Sequence, residues 1–214
     1  MFKDKLGARA LSTFFFVALV AACASVASAQ GNMGQMGSGS VDKRKLTTIQ
    51  TASADSGKTK NAVEVRYLNL PWGEATFGYI ETGVDPRNKG YYSSRAWPIA
   101  HLRLNVPATY DGKKLAPGDY AFIITPRNPK TNTGMTLALE SFKPAEAGGS
   151  FLKAGDVFVE TPKDAVIITQ KTIKFDKGGA VADHLEMSVN DHGKNVEIKF
   201  HYGDRTHTEK LKLK

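Results

Sequence analysis

From Ala62 to Lys214 the chain repeats one pattern: short segments with apolar residues at every second position, separated by clusters of Gly, Pro, Asn and Asp. No stretch of this region keeps a helical period. Alternation with a period of two places one face of a strand in a core and the other in water. In "AVEVRYL", Val63, Val65 and Tyr67 share a face opposite Glu64 and Arg66. "WPIAHLRLNV" sends Ala100, Leu102, Leu104 and Val106 inward and His101, Arg103 and Asn105 outward. "EATFGYIE" reads the same way, with Phe77 and Tyr79 on one side. Further strands are expected in "YAFIIT", "MTLALESF", "DVFVET", "AVIITQKTIKF", "HLEMSVN", "VEIKFHY" and "THTEKLKLK". About ten short strands with these punctuation marks imply an all-β domain, a single antiparallel β-sandwich of Greek-key or immunoglobulin-like type, or an irregular barrel.

The last two strands carry the sharpest local expectation. Gly203-Asp204 sits where a two-residue hairpin turn is needed, and Gly in first place suits a type II′ turn. That register sets Tyr202 opposite Arg205, His201 opposite Thr206 and Glu197 opposite Lys210. Val196, Ile198, Phe200, Leu211 and Leu213 then share one face, and Glu197, Lys199, Lys210 and Lys212 the other. His207 stands beside Phe200, so His201 and His207 fall on opposite faces.

Upstream, residues 1–29 read as a secretory signal peptide: Lys3, Lys5 and Arg9 precede the short apolar run Ala10 to Ala22. Two cleavage readings compete. Ala27-Ser28-Ala29 is an A-x-A site that would leave Gln30 first. Val20-Ala21-Ala22-Cys23 has the form of a bacterial lipobox, in which Cys23 would be acylated and hold the chain to a membrane. Export to the periplasm or beyond is expected in the first case, and an outer-membrane lipoprotein in the second. Residues 30–61, rich in Gly, Ser, Gln and Met at their start, are expected to form a flexible leader in which the mixed segment "KLTTIQTASADSGKTKN" leaves room for one early strand, with the sandwich occupying 62–214. No transmembrane helix is expected in the mature chain.

Composition narrows the chemistry. Cys23 is the single cysteine, so the folded part offers no disulfide, thiol nucleophile or cysteine metal site. The formal charge of +8 falls to +6 when residues 1–29, with three cations and one anion, are removed. The lysines are scattered along strands and turns, which together with export argues against nucleic acid and leaves attraction to anionic envelope surfaces as the alternative to plain solubility. "ASADSGKT" (Ala52 to Thr59) imitates a phosphate loop but lacks the first glycine and is followed by a strand pattern. The five histidines show no metal-ligand spacing on a helix or strand. No G-x-S-x-G elbow is present, and the carboxylates Glu64, Glu74, Glu81, Asp85 and Glu140 are not paired by spacing. No cofactor, metal or catalytic residue is assigned.

Aromatic residues give the better lead for binding. Trp72, Tyr91, Tyr92 and Trp97 surround the connection "TGVDPRNKGYYSSRA", where Arg95 could orient a glycan stacked on the rings. The competing reading makes both tryptophans core residues at strand starts.

"DGKKLAPGDYAFIITP" (Asp111 to Pro126) holds two tight turns, Asp111-Gly112 and Pro117-Gly118. Leu115 and Tyr120 flank the second, the arrangement of a tyrosine corner whose hydroxyl bonds to backbone a few residues upstream. The run Gly112 to Phe122 resembles the G-x-x-L-x-x-G-x-Y-x-L signature of the bacterial "domain of unknown function 2911" family, and the likeness extends from about Val63 to Phe142. Where that family carries a W-R-x-G-A-N-like segment, this chain has "SSRAWPIAHL" (Ser93 to Leu102). The resemblance implies an exported β-rich domain and transfers no catalytic residue. The sequence thus points to a non-catalytic domain with a binding or structural role in the bacterial envelope, its partner a protein or glycan. The alternative is a carbohydrate-binding or polysaccharide-acting protein that uses the aromatic-rich region 72–97.

Overall fold

The alternating segments become strands in a computed structural model that describes residues 47–85, 95–144, 151–153 and 160–214. Ten strands and one helix follow in the order β1 (Ile49–Ser56), β2 (Thr59–Leu68), α1 (Glu74–Thr82), β3 (Trp97–Leu104), β4 (Ala108–Tyr110), β5 (Lys113–Leu115), β6 (Gly118–Thr125), β7 (Thr136–Phe142), β8 (Val166–Thr172), β9 (Asp176–His192) and β10 (Asn195–Leu213). They form two antiparallel sheets, β1-β2-β3-β6-β7-β8 and β5-β4-β10-β9, with no closed barrel. The fold is an all-β sandwich. Its main core lies between the sheets: Val63, Val65, Leu102, Leu104 and Phe122 from the first meet Val196, Ile198, Phe200 and Leu211 from the second, all nearly inaccessible to water. Phe122 and Phe200 touch edge to face across the gap, ring centres 5.6 Å apart.

β10 is one run of extended backbone, but it cannot be straight. Thirteen residues of strand span roughly 40 Å, yet Lys210 Nζ lies 3.1 Å from a Glu197 carboxylate oxygen. The Leu213 amide also donates to the Lys194 carbonyl at 2.7 Å, and the Phe200 and His207 rings are 6.0 Å apart. Each of these pairs is centred on Gly203-Asp204, so the ribbon doubles back there as the turn chemistry requires. Gly203 has φ +62°, the sign that the first residue of a type II′ turn needs. β9 runs past the tip, which lets Ala182 pair with Gly203 and Asp176 with Thr206. Hence even-numbered residues point inward on the first arm and odd-numbered ones on the second.

Two expectations are corrected. "EATFGYIE" is helix α1, not a strand: Phe77 and Ile80, three apart, are its buried residues. Gly83 ends it in the left-handed conformation with its amide on Tyr79 O at 2.7 Å. The sandwich also begins before 62, because β1 pairs along β2 from Ile49↔Leu68 to Ser56↔Thr59. β1 is a largely polar edge strand with Ala54 as its one fully buried residue, so alternation carries little signal there. The same pairing makes "ASADSGKT" a hairpin, with a strand where a phosphate loop needs a helix. Of "DVFVET", residues 156–159 lie outside the described residues, and Glu160 and Thr161 are not in a strand. The leader before residue 47, with Cys23 and the cleavage sites, also lies outside them.

At the Pro117-Gly118 corner the Tyr120 hydroxyl donates to Ala116 O at 2.7 Å, and Leu115 and Tyr120 are both buried. Asp111 and Gly112 both have positive φ and join β4 to β5 as a two-residue hairpin. The chain leaving β2 switches sheets: the Trp72 amide donates to Asp183 O and the Leu185 amide to Leu70 O, each at 2.8 Å. Backbone bonds therefore close the β1–β9 side of the sandwich. The β8 side is bridged by side chains.

Candidate functional site

On the second arm of β10 the inward positions 207, 209, 211 and 213 read His, Glu, Leu, Leu. Alternation thus delivers Glu209 to the sandwich interior, where it is 2 % exposed. A lone carboxylate there would be costly unless paired and hydrogen-bonded. Three donors meet it. The Tyr110 hydroxyl (β4) donates to Oε2 at 2.9 Å, and Lys171 Nζ (β8) donates to the same oxygen at 2.6 Å. His207 Nε2 donates to Oε1 at 2.5 Å. Lys171 also stands over the Tyr110 ring, 5.0 Å from its centre. One acid from the second sheet is thereby tied to the edge strand of the first. Nearby, the Thr169 hydroxyl donates to Asp111 at 2.8 Å, a second bridge from β8.

The protonation states follow from the partners. Burial pushes the Glu209 carboxyl up, but hydrogen bonds from His207, Lys171 and Tyr110 outweigh it and hold the group below the ordinary range, as a carboxylate. Burial, and then Glu209, drive the Tyr110 hydroxyl far upward, so it remains a donor. The other nitrogen of His207, Nδ1, faces the Lys174 carbonyl at 2.9 Å. Both nitrogens of the ring therefore face acceptors, a carbonyl on one side and a carboxylate on the other. Within the cluster the Glu209 carboxylate is paired with the Lys171 ammonium. Lys171 is its most open member, with a third of its side chain exposed.

A second titratable group lies on the outer face of the first sheet. His101 was expected to face outward, and it does, yet it is only 5 % exposed. Phe142 and Phe151 cover it, with ring centres 5.0 and 6.1 Å away. This face has its own apolar cluster, which includes Ala121, Ile123, Ala138 and Leu152. His101 Nε2 donates to Asp119 at 2.7 Å, and Nδ1 is buried without a hydrogen-bond partner. Burial lowers the pKa of the imidazole below 6.5 despite the raising influence of Asp119. Glu140, on the same face, is held above its ordinary value by burial.

Linkage fixes what His101 does with pH. Above 6.5 the ring is neutral whether the chain is folded or not. Below 6.5 the unfolded chain takes up a proton that the folded chain refuses until the lower folded pKa is reached. Stability should therefore fall as pH drops from 6.5 through that window. Urea midpoints from pH 7.5 to 5 should decline more steeply for the native chain than for His101→Gln. Equal slopes would contradict this burial of a neutral imidazole.

The aromatic residues proposed for glycan binding are divided by the fold. Trp72 packs against Tyr202 edge to face at 4.8 Å and against Phe77 at 5.9 Å, with its ring directly over Gly203. The Tyr202 hydroxyl donates to Pro71 O at 2.7 Å and fixes this end of the sandwich. Trp97 is half-buried against Tyr79 at 5.8 Å, its indole nitrogen buried without a hydrogen-bond partner. Both tryptophans pack on the main core. Arg95 is exposed, and Tyr91 and Tyr92 lie outside the described residues.

Among the described residues no group of three or more His, Cys, Asp or Glu side chains is placed to hold a metal ion. None of their helices is long and apolar enough to cross a membrane. No protein-family model, curated protein or solved structure matches the chain.

Proposed function

We propose that this chain is an exported, non-catalytic β-sandwich domain with a binding or structural role in the bacterial cell envelope. One observation supports the non-catalytic part: the buried ionisable cluster around Glu209 is occupied with itself. A general base needs a free lone pair within reach of a substrate proton. Both His207 nitrogens are engaged by acceptors of the protein itself, and the Glu209 carboxylate takes three donors in the interior. The positively charged N-terminus with its short apolar run supports export, as does the resemblance of Gly112 to Phe122 to an exported β-rich family. The tyrosine corner and the hydrogen-bonded sheet crossing suit a rigid domain that presents surface.

The test is to express the whole chain in a Gram-negative host, fractionate the cells and weigh the intact protein. The expected species starts at Gln30 and is periplasmic. A chain starting at an acylated Cys23 would make it the membrane-anchored form of the same reading. Uncleaved protein in the cytoplasm would refute export. The purified protein should also release no reducing ends from cell-wall polysaccharide. Release that is abolished by Glu209→Gln would put the polysaccharide-acting alternative in its place.

A further inference from the structure

We infer that the outer face of the β5-β4-β10-β9 sheet is an electrostatic docking surface for an anionic lipid bilayer. This rests on the envelope reading above and names the partner class. Register places Lys114 and Lys212 on either side of Thr109, since Thr109 pairs with Lys114 in β5 and with Lys212 in β10. Residues directly opposite one another share a face, so these ammonium groups point the same way from strands two spacings, or about 9.6 Å, apart. Lys210 precedes Lys212 by two residues and joins that face, and Lys199 joins it from the other arm of the ribbon. All four are exposed.

Compensation on this face is uneven. Lys210 is neutralised by Glu197 at 3.1 Å. Lys114, Lys199 and Lys212 make no ion pair among the described residues. Like charges gathered on one sheet face oppose folding, and the cost is recovered only when an anion arrives. The inward-facing neighbours Leu115, Leu211, Leu213 and Ile198 are buried in the core, so the face carries lysines without apolar side chains to insert. A basic, non-inserting surface suits a plane of phosphate headgroups. A single polymer strand would be better served by a groove lined with aromatic rings.

Each lysine near an anionic membrane strengthens binding about fivefold, within a Debye length of about 8 Å at physiological salt. Binding should therefore be weak and salt-sensitive. The test is sedimentation with vesicles of phosphatidylcholine containing one-third phosphatidylglycerol. The protein is the chain from Gln30 onward, which retains the whole compact unit Val41–Lys214. At low salt the chain should co-sediment with these vesicles and not with pure phosphatidylcholine. The charge-reversal pair K114E/K212E should weaken partitioning at least about 25-fold. The control pair K58E/K130E, on exposed turns elsewhere, should change it little. Thermal unfolding of each variant confirms that it remains folded. No binding to the anionic vesicles, equal binding to both lipids, or equal losses in both variants would overturn the proposal. A preference for soluble dextran sulfate that vesicles cannot displace would also overturn it, in favour of an anionic polymer. Failure of export would leave this measurement untouched, so the two ideas fail separately.

Discussion

Gly203→Ala should destabilise the chain by about 3 kcal/mol or more. A Cβ built at this position lies 2.2 Å from the Trp72 ring, inside any real contact distance. The ring cannot retreat easily, because its own backbone amide is bonded to Asp183 and the neighbouring Pro71 carbonyl accepts from Tyr202. Overpacking of this kind costs about 1–3 kcal/mol, and a left-handed φ in a residue with a Cβ adds about 1–2 kcal/mol. Gly57→Ala is the control: φ there is +55°, but a Cβ would meet nothing within 4 Å. Urea unfolding should show Gly203→Ala losing clearly more than Gly57→Ala. Trimming Trp72 to Leu in the Gly203→Ala background should recover part of the difference. If the two glycine substitutions cost the same, Trp72 does not sit on the turn.

Glu209→Gln, which keeps the shape and removes the charge, should cost about 2–4 kcal/mol. Removing one partner from a buried ion pair leaves the other without compensation, which typically costs 3–5 kcal/mol. The lower figure reflects the partial exposure of Lys171. The acid limb of stability provides an independent readout. The folded Glu209 carboxyl lies below its usual 4.5, so the folded chain binds fewer protons than the unfolded chain just below that pH. The stability it contributes is present above 4.5 and is lost as pH falls through the folded value. Midpoints measured between pH 6 and 3 should fall more gently in Glu209→Gln than in the native chain. A substitution that costs little and leaves the acid limb unchanged would remove the cluster from any account of stability.

Period-two alternation makes most of the sandwich readable, although β3, β6 and β7 bury residues on both faces. β3, β6, β7 and both arms of β10 lie where the apolar residues place them. The Gly203-Asp204 turn was legible because its chemistry and the phase of the flanking residues agree. α1 reads as a strand because Phe77 and Tyr79 imitate alternation, whereas the fold buries Ile80 beside Phe77, three residues on, and stops the helix at Gly83. β1 is faint in the sequence: the mixed segment "KLTTIQTASADSGKTKN" leaves room for one early strand, but an edge strand of Gln, Thr, Ser and Asp has little apolar signal. The Glu209 cluster had a signal that was not used. Once Leu211 and Leu213 are assigned inward, Glu209 and His207 must follow them, and an inward acid demands partners. Which partners it finds depends on Tyr110 and Lys171, which lie 99 and 38 residues away in sequence, and no local pattern links them. His101 was hidden differently, since its outward face is covered by Phe151 from a distant segment.

The buried charges of Glu209 and Lys171 bind the two sheets together. A double-mutant cycle on Lys171 and Glu209, read by urea unfolding, tests this most directly. Lys171→Met and Glu209→Gln together should cost clearly less than the sum of the single substitutions, with a coupling of about 1–3 kcal/mol. Additive losses would mean that the two residues do not act as a pair and would contradict the claim.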